Sequence, residues 1–113
     1  MAKYLLVYRE SARSTPPSPA EIQASFQKWG EWIGKYTQSG HIINPGDGLK
    51  ETGKVVRADG IVSDGPYVES KEIVGGYSVI QADDYDQAVA IVKDCPAAAE
   101  GGCVELRQLA EYM

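Results

Sequence analysis

Strand-like and helix-like periodicities alternate twice along this chain, with a hairpin signal between the two rounds, and few architectures accept that order. Lys3 to Arg9 is the first strand: Tyr4, Leu6 and Tyr8 alternate with Leu5, Val7 and Arg9. Both sets contain groups that prefer cover, the pattern of a strand packed on its two faces. Ser11 to Pro17 is rich in Ser, Thr and Pro and reads as a loop. Ser18-Pro19-Ala20-Glu21 then opens a helix, with Ser18 as the cap, Pro19 in the first helical position and Glu21 at the capping-box position. Ile22, Phe26, Trp29, Ile33 and Tyr36 follow at steps of four and three, which predicts one apolar stripe, and Trp29 and Trp32 read as core with some surface. Gly40 ends the helix.

The second round begins after a Gly-rich middle. His41 to Ile43 is a short strand interrupted by the turn chemistry of Asn44-Pro45-Gly46-Asp47-Gly48. Lys54 to Arg57 and Ile61 to Ser63 flank Ala58-Asp59-Gly60, which predicts a β-hairpin. Asp64-Gly65-Pro66-Tyr67 reads as a corner directly after it. A strand runs through Ile73 to Ala82, and Gly75-Gly76 at its start predicts a bulge or a close backbone approach. Asp83 is expected to cap a second helix, with Tyr85, Ala88, Val89, Ile91 and Val92 inward, and Cys95-Pro96 stops it. Pro96 to Gly102 reads as an Ala/Gly loop. In the last strand, Cys103 to Leu109, Val104 and Leu106 point one way while Cys103, Glu105 and Arg107 point the other.

The order is therefore βαβ, hairpin, βαβ. Two right-handed crossovers interleave into a four-stranded antiparallel sheet with both helices on one face, the ferredoxin-like α+β plan. The 113 residues hold one domain and one core. A sheet with one bare face in so short a chain favours a homodimer, with a cavity between the sheets or at their rims.

Charge and composition narrow the partners. The net charge is -5 and the eleven basic residues are scattered, which argues against a nucleic-acid surface. The apolar run at the N-terminus is too short for a signal peptide and nothing approaches a membrane span, so the expectation is a cytoplasmic protein without membrane contact. The two cysteines, Cys95 and Cys103, fit no zinc or redox spacing and read as packing residues. One histidine and dispersed carboxylates give no metal set, and no phosphate loop or nucleophile elbow is present, so no cofactor is expected.

Chemistry-bearing groups are densest in Asp64-Gly65-Pro66-Tyr67-Val68-Glu69-Ser70-Lys71-Glu72. Gly65 and Pro66 set backbone angles that hold Asp64 at a fixed direction, and Glu69, Lys71 and Glu72 supply acceptors and a cation. A tight turn with a solvated strand end accounts for the same composition. His41, the sole histidine, has the one side chain that ordinarily titrates near neutrality. Glu105 and Arg107 share a strand face and are placed to pair, line a cavity or cross an interface.

The combination of Asp64-Gly65-Pro66-Tyr67, Glu69, Lys71-Glu72, Gly75-Gly76-Tyr77, Asp84-Tyr85-Asp86-Gln87-Ala88, Cys95-Pro96 and Gly102-Cys103-Val104-Glu105-Leu106-Arg107 resembles the DGPF branch of the YCII-related proteins, with Tyr67 in place of the name-giving phenylalanine. The resemblance spans essentially the whole chain and implies a dimeric α/β barrel of ferredoxin-like domains. The wider superfamily includes lyases, isomerases and monooxygenases, and some DGPF relatives are encoded beside sigma factors. YCII proteins proper are proposed to use a His–Asp pair, whose neighbourhoods here read Glu21-Ile22-Gln23 and Thr37-Gln38-Ser39, so that chemistry does not carry over. Two readings follow. One is a cofactor-free acid/base enzyme of lyase or isomerase type, acting on a small polar or aromatic metabolite: Asp64, Glu69 and His41 would do the proton transfer, and Gly65, Pro66, Tyr67, Lys71, Glu72 and Arg107 would hold the substrate. The alternative is a ligand-sensing or protein-interaction module tied to sigma-factor-linked transcription.

Overall fold

The computed structural model describes residues 1–11, 17–65, 72–99 and 102–112. The chain runs β1 (Ala2–Ser11), α1 (Pro19–Gln38), β2 (Ile42–Gly48), β3 (Gly53–Val56), β4 (Val62–Gly65), β5 (Glu72–Ala82), α2 (Tyr85–Lys93), α3 (Pro96–Ala99) and β6 (Cys103–Gln108). Four strands form one antiparallel sheet in the order β2-β5-β1-β6, and β3 and β4 form a separate two-stranded ribbon. This is the ferredoxin-like α+β arrangement that the order of periodicities predicts.

β1 lies at the centre of the sheet, and its alternation sorts the molecule into layers. Tyr4, Leu6 and Tyr8 are buried with Trp32, Ile42, Ile80, Ala82, Ala88, Ile91 and Cys95. Tyr4 meets the ring of Tyr85 from α2 edge-on at 4.9 Å, and Tyr8 meets Trp29 from α1 at 5.0 Å, so both helices cover this face. Such aromatic contacts add about 0.5–1.5 kcal/mol each beyond area burial. Trp32 fills the seam between the helices, and its indole N–H donates to the Ile91 carbonyl at 3.1 Å.

Local signals set the helix ends. Ser18 caps α1, its hydroxyl accepting from the Glu21 N–H and donating to the Glu21 carboxylate, both at 3.2 Å. At the far end Gly40 has φ of 83°, Gly40 N–H reaches the Thr37 carbonyl and His41 N–H the Tyr36 carbonyl, a Schellman closure. The apolar stripe of α1 is covered only in its C-terminal half: Ile22 and Phe26 are exposed, Phe26 by 73%. Trp32, rather than a residue of the predicted stripe, is the fully buried one.

Three further expectations are corrected. The cap of α2 is Asp84, not Asp83: Gln87 N–H donates to the Asp84 carboxylate at 2.9 Å, while the Gln87 side chain accepts from Asp83 N–H at 2.7 Å. The bond from the Gln87 N–H makes the residue three before it the cap, and the Gln87 side chain satisfies the N–H just ahead of that cap. Tyr85 and Val89, expected inward, are about half exposed at 48% and 42%. The loop after Cys95 contains the short helix α3.

β2 also extends further than its composition suggests. Asn44-Pro45-Gly46 stays in the strand as a bulge opposite Val79 to Tyr77. The Asn44 side chain accepts from Gly46 N–H, and Gly46 has φ of 75° with its α-carbon so close to the Tyr77 carbonyl that a β-carbon would overlap it. The buried Tyr8 hydroxyl donates to Ser78 Oγ at 2.7 Å, which in turn donates to the Pro45 carbonyl at 2.6 Å. This relay pins the bulge to the core, and burial pushes the Tyr8 phenol far up, so it remains a donor. Gly75 is the extra residue of a second bulge, because Tyr8 pairs with Gly76 and Arg9 with Val74.

Replacing Ser78 by Ala leaves the Tyr8 hydroxyl and the Pro45 carbonyl without that partner. Urea denaturation of Ser78→Ala is expected to show a loss of about 1–3 kcal/mol, of which the double variant Tyr8→Phe/Ser78→Ala recovers part.

Candidate functional site

The sequence candidates separate into three places. Asp64 and Gly65 lie in β4, in strand register with Lys54 and Gly53, not at a corner beyond the hairpin. The Asp64 side chain is 89% exposed and its carboxylate pairs with the Lys54 ammonium across the ribbon. Gly65 serves by close approach: a β-carbon there would lie 3.2 Å from the Gly53 carbonyl carbon. Pro66, Tyr67, Glu69 and Lys71 lie outside the described residues. Glu72 begins β5 opposite Ser11.

His41 precedes β2, whose bulges let its seven residues span only the register from Ile80 to Gly76 of β5, roughly 13 Å. Its Nδ1 is 2.8 Å from Ser39 Oγ and its ring stands edge-on to Tyr36 at 6.4 Å. It belongs to a clamp between the C-terminal ends of the two long helices. There Asp94 accepts from the Tyr36 hydroxyl and, at 3.2 Å, from the Lys35 ammonium. These bonds, Tyr36 first and Lys35 second, hold the Asp94 carboxyl below its ordinary range. The Asp94 hydrogen bond raises Lys35, while burial and then the same carboxylate raise Tyr36. Lys35 and Tyr36 are 59 and 58 residues from Asp94, and no local pattern announces such a meeting.

Arg107 belongs to the third place, the face of the sheet opposite the helices. Register puts Leu5 beside Arg107 and Val79, Val7 beside Glu105 and Tyr77, and Arg9 beside Cys103. The centre of this face is therefore apolar, with charge along β6. Glu105 pairs with Arg9 at 3.2 Å, not with its strand neighbour Arg107. Arg9 and Tyr77 were not among the sequence candidates, although both follow from strand alternation once the register is known. Cys103 is exposed on this face and Cys95 is buried in the core. Among the described residues there is no cluster of three metal-ligating side chains. Among the described residues no helix is long and apolar enough to cross a membrane.

The clamp gives a pH signature. Asp94 has a lowered pKa in the folded chain, so its contribution to stability is present above the unfolded value near 3.8 and is lost as pH falls through the folded value. Melting temperature measured downward from about pH 5 is expected to fall less steeply in Asp94→Asn than in the parent, from a lower starting point.

The arrangement thus offers an exposed ion pair on a ribbon, a helix-end clamp holding the sole imidazole, and an apolar sheet face edged by arginine. No curated protein matches the chain closely enough to supply a function. The YCII-related domain matches residues 2–112, essentially from the first strand to the last tyrosine, and the chain belongs to the YCII-related family.

Proposed function

We propose that this protein is a homodimer that binds a small polar or aromatic metabolite against the open face of its sheet, near the β3–β4 ribbon. The observation that carries the reading is the composition of that face. Leu5, Val7 and Val79 are half-buried, Tyr77 is partly exposed, and charged groups border them, while α1 and α2 occupy the opposite side. An apolar floor with a few convergent polar groups is the usual make-up of a small-molecule site. Tyr77 offers a stacking surface. Arg107 offers a fork for an anionic group, with Arg9 already engaged by Glu105. The run Asp64-Gly65-Pro66-Tyr67 supports placing the chain in the DGPF branch of its family.

Binding is favoured over turnover in the isolated chain. A general acid or base works in a cleft that holds it against its substrate and excludes water, and the Asp64 side chain is 89% exposed with its carboxylate paired to Lys54. Lyase- or isomerase-type chemistry at Asp64 would require a second subunit or the ligand to exclude water there. A sensing role linked to transcription uses the same binding step without turnover.

Titration calorimetry of wild type against a panel of aromatic and short-chain carboxylates tests the reading. One class is expected to bind, and Arg107→Ala is expected to weaken it by about 10- to 100-fold, the equivalent of one charge-assisted hydrogen bond. Absence of binding across the panel, or binding indifferent to Arg107→Ala and Tyr77→Ala together, counts against it. Mass spectrometry of the bound compound after incubation separates the two modes: conversion lost in Asp64→Asn marks an enzyme, and an unchanged ligand marks a sensor.

A further inference from the structure

Charge is distributed unevenly over the open side of the sheet. Lys3, Leu5, Val7 and Arg9 follow one another there along β1, and Cys103, Glu105 and Arg107 along β6. Two of these cations are already answered. Lys3 stands 3.8 Å from the Glu111 carboxylate, and Arg9 donates to the Glu105 carboxylate at 3.2 Å. The Arg9–Glu105 pair is the more sheltered, its side chains 30% and 41% exposed, and partial desolvation strengthens a charge-assisted bond of this kind. Arg107 lies beside Leu5, between the two pairs. It is exposed and has no ion pair among the described residues.

Strand register carries the pattern across the sheet. Asp47, Tyr77, Val7 and Glu105 are successive partners in one row, and Asn44, Val79, Leu5 and Arg107 in a second row. The first row has a carboxylate at each end with an aromatic ring and a valine between them. The second has an apolar middle and ends on the guanidinium. β2 and β6 are three strand spacings apart, roughly 14 Å, room for one ring on a short tether between the polar ends. At the β2 edge the Asp47 carboxylate accepts from the Gly48 N–H at 2.9 Å, and the Asn44 side chain is taken by the Gly46 N–H. An acid group on a ligand therefore finds its fork at Arg107. A second acid reaching toward the Tyr77 row meets Glu105 or Asp47, and among the described residues no unpaired cation stands there to offset it. Like charges brought together in this way reject a ligand more sharply than a missing contact does.

We propose that Glu105 sets the charge of the ligand at this site: by holding Arg9 it leaves Arg107 as the single anchor, so the open face accepts aromatic monocarboxylates and rejects dicarboxylates. The inference rests on the open face being the binding site, and it names the class of ligand. Glu105 is a positioning residue. It acts through the arginine that it occupies and through its own negative charge.

Phenylpropionate and benzylsuccinate are matched probes, the second being the first with one added carboxymethyl group. Titration calorimetry on wild type should show phenylpropionate binding about 10-fold tighter or more. Glu105→Gln keeps the size of the side chain, removes its charge and frees Arg9, and should shift the ratio of the two dissociation constants by about 10-fold toward benzylsuccinate. Glu105→Asp keeps the charge and should retain the wild-type preference. Damage to the sheet would weaken both probes together, so the ratio separates charge from folding. Wild type that binds phenylpropionate through Arg107 but binds benzylsuccinate as tightly, or Glu105→Gln with an unchanged ratio, overturns the role of Glu105 and leaves the binding site standing. If wild type and Glu105→Gln bind neither probe, the site falls and this inference falls with it.

Discussion

The alternation of β1 is the constraint on which the remainder rests. As a central strand it is bonded to β5 and β6 at once, so neither its position nor its register can shift without disturbing both neighbours. Tyr4, Leu6 and Tyr8 then define the helix side, and Leu5, Val7 and Arg9 the open side. Slipping by one residue would expose two tyrosines and a leucine and bury Arg9 under the helices, a penalty far larger than the few kcal/mol by which small domains are stable. The Tyr8 hydroxyl carries that constraint to the sheet edge, because its relay through Ser78 to the Pro45 carbonyl holds the β2 bulge in place.

The helix layer is held by aromatic packing and by its ends. Tyr8, Trp29, Trp32 and Tyr36 contact one another in sequence at 5.0, 5.9 and 5.8 Å, running from the core to the surface clamp at Asp94. Large rings are effective here because a 113-residue chain has few residues with which to exclude water. The stripe loses its cover toward the N-terminus of α1, where Phe26 lies exposed. A twenty-residue helix extends about 30 Å and its apolar face outruns the surface that accepts it.

The proposed binding reading rests on apolar surfaces that lack cover more than on the exposed polar groups. His41 lies against a helix end beside Ser39 and Tyr36, and Asp64 pairs with Lys54 on the ribbon, so the two belong to separate hydrogen-bond groups. Among the described residues, the open sheet face, the Val56/Val62 ribbon face and the N-terminal half of the α1 stripe leave apolar side chains incompletely buried. Burial is the dominant favourable term in association, so these faces are where a partner or a ligand gains most.

Much of the plan was legible in the sequence because it is locally encoded. Strand alternation, the Ser18 and Gly40 helix ends, the Ala58-Asp59-Gly60 hairpin and the two faces of β6 each depend on residues a few positions apart. So did the α2 cap, where Gln87 marked Asp84 three residues earlier and the adjacent Asp83 diverted the reading. The Asn44-Pro45-Gly46 segment reads as a turn by composition, and only the Tyr77–Ser78 backbone running beside it makes it a bulge. Asp64 reads as the tip of a corner, and only pairing with Lys54 turns it into a strand residue. The sequence by itself determined the elements, their order and which side chains share a strand face, since these follow from backbone periodicity. Tertiary structure alone decided that Arg9 takes Glu105 and that Tyr36 and Lys35 meet Asp94. Those outcomes depend on contacts between residues that the fold, not the chain, brings together.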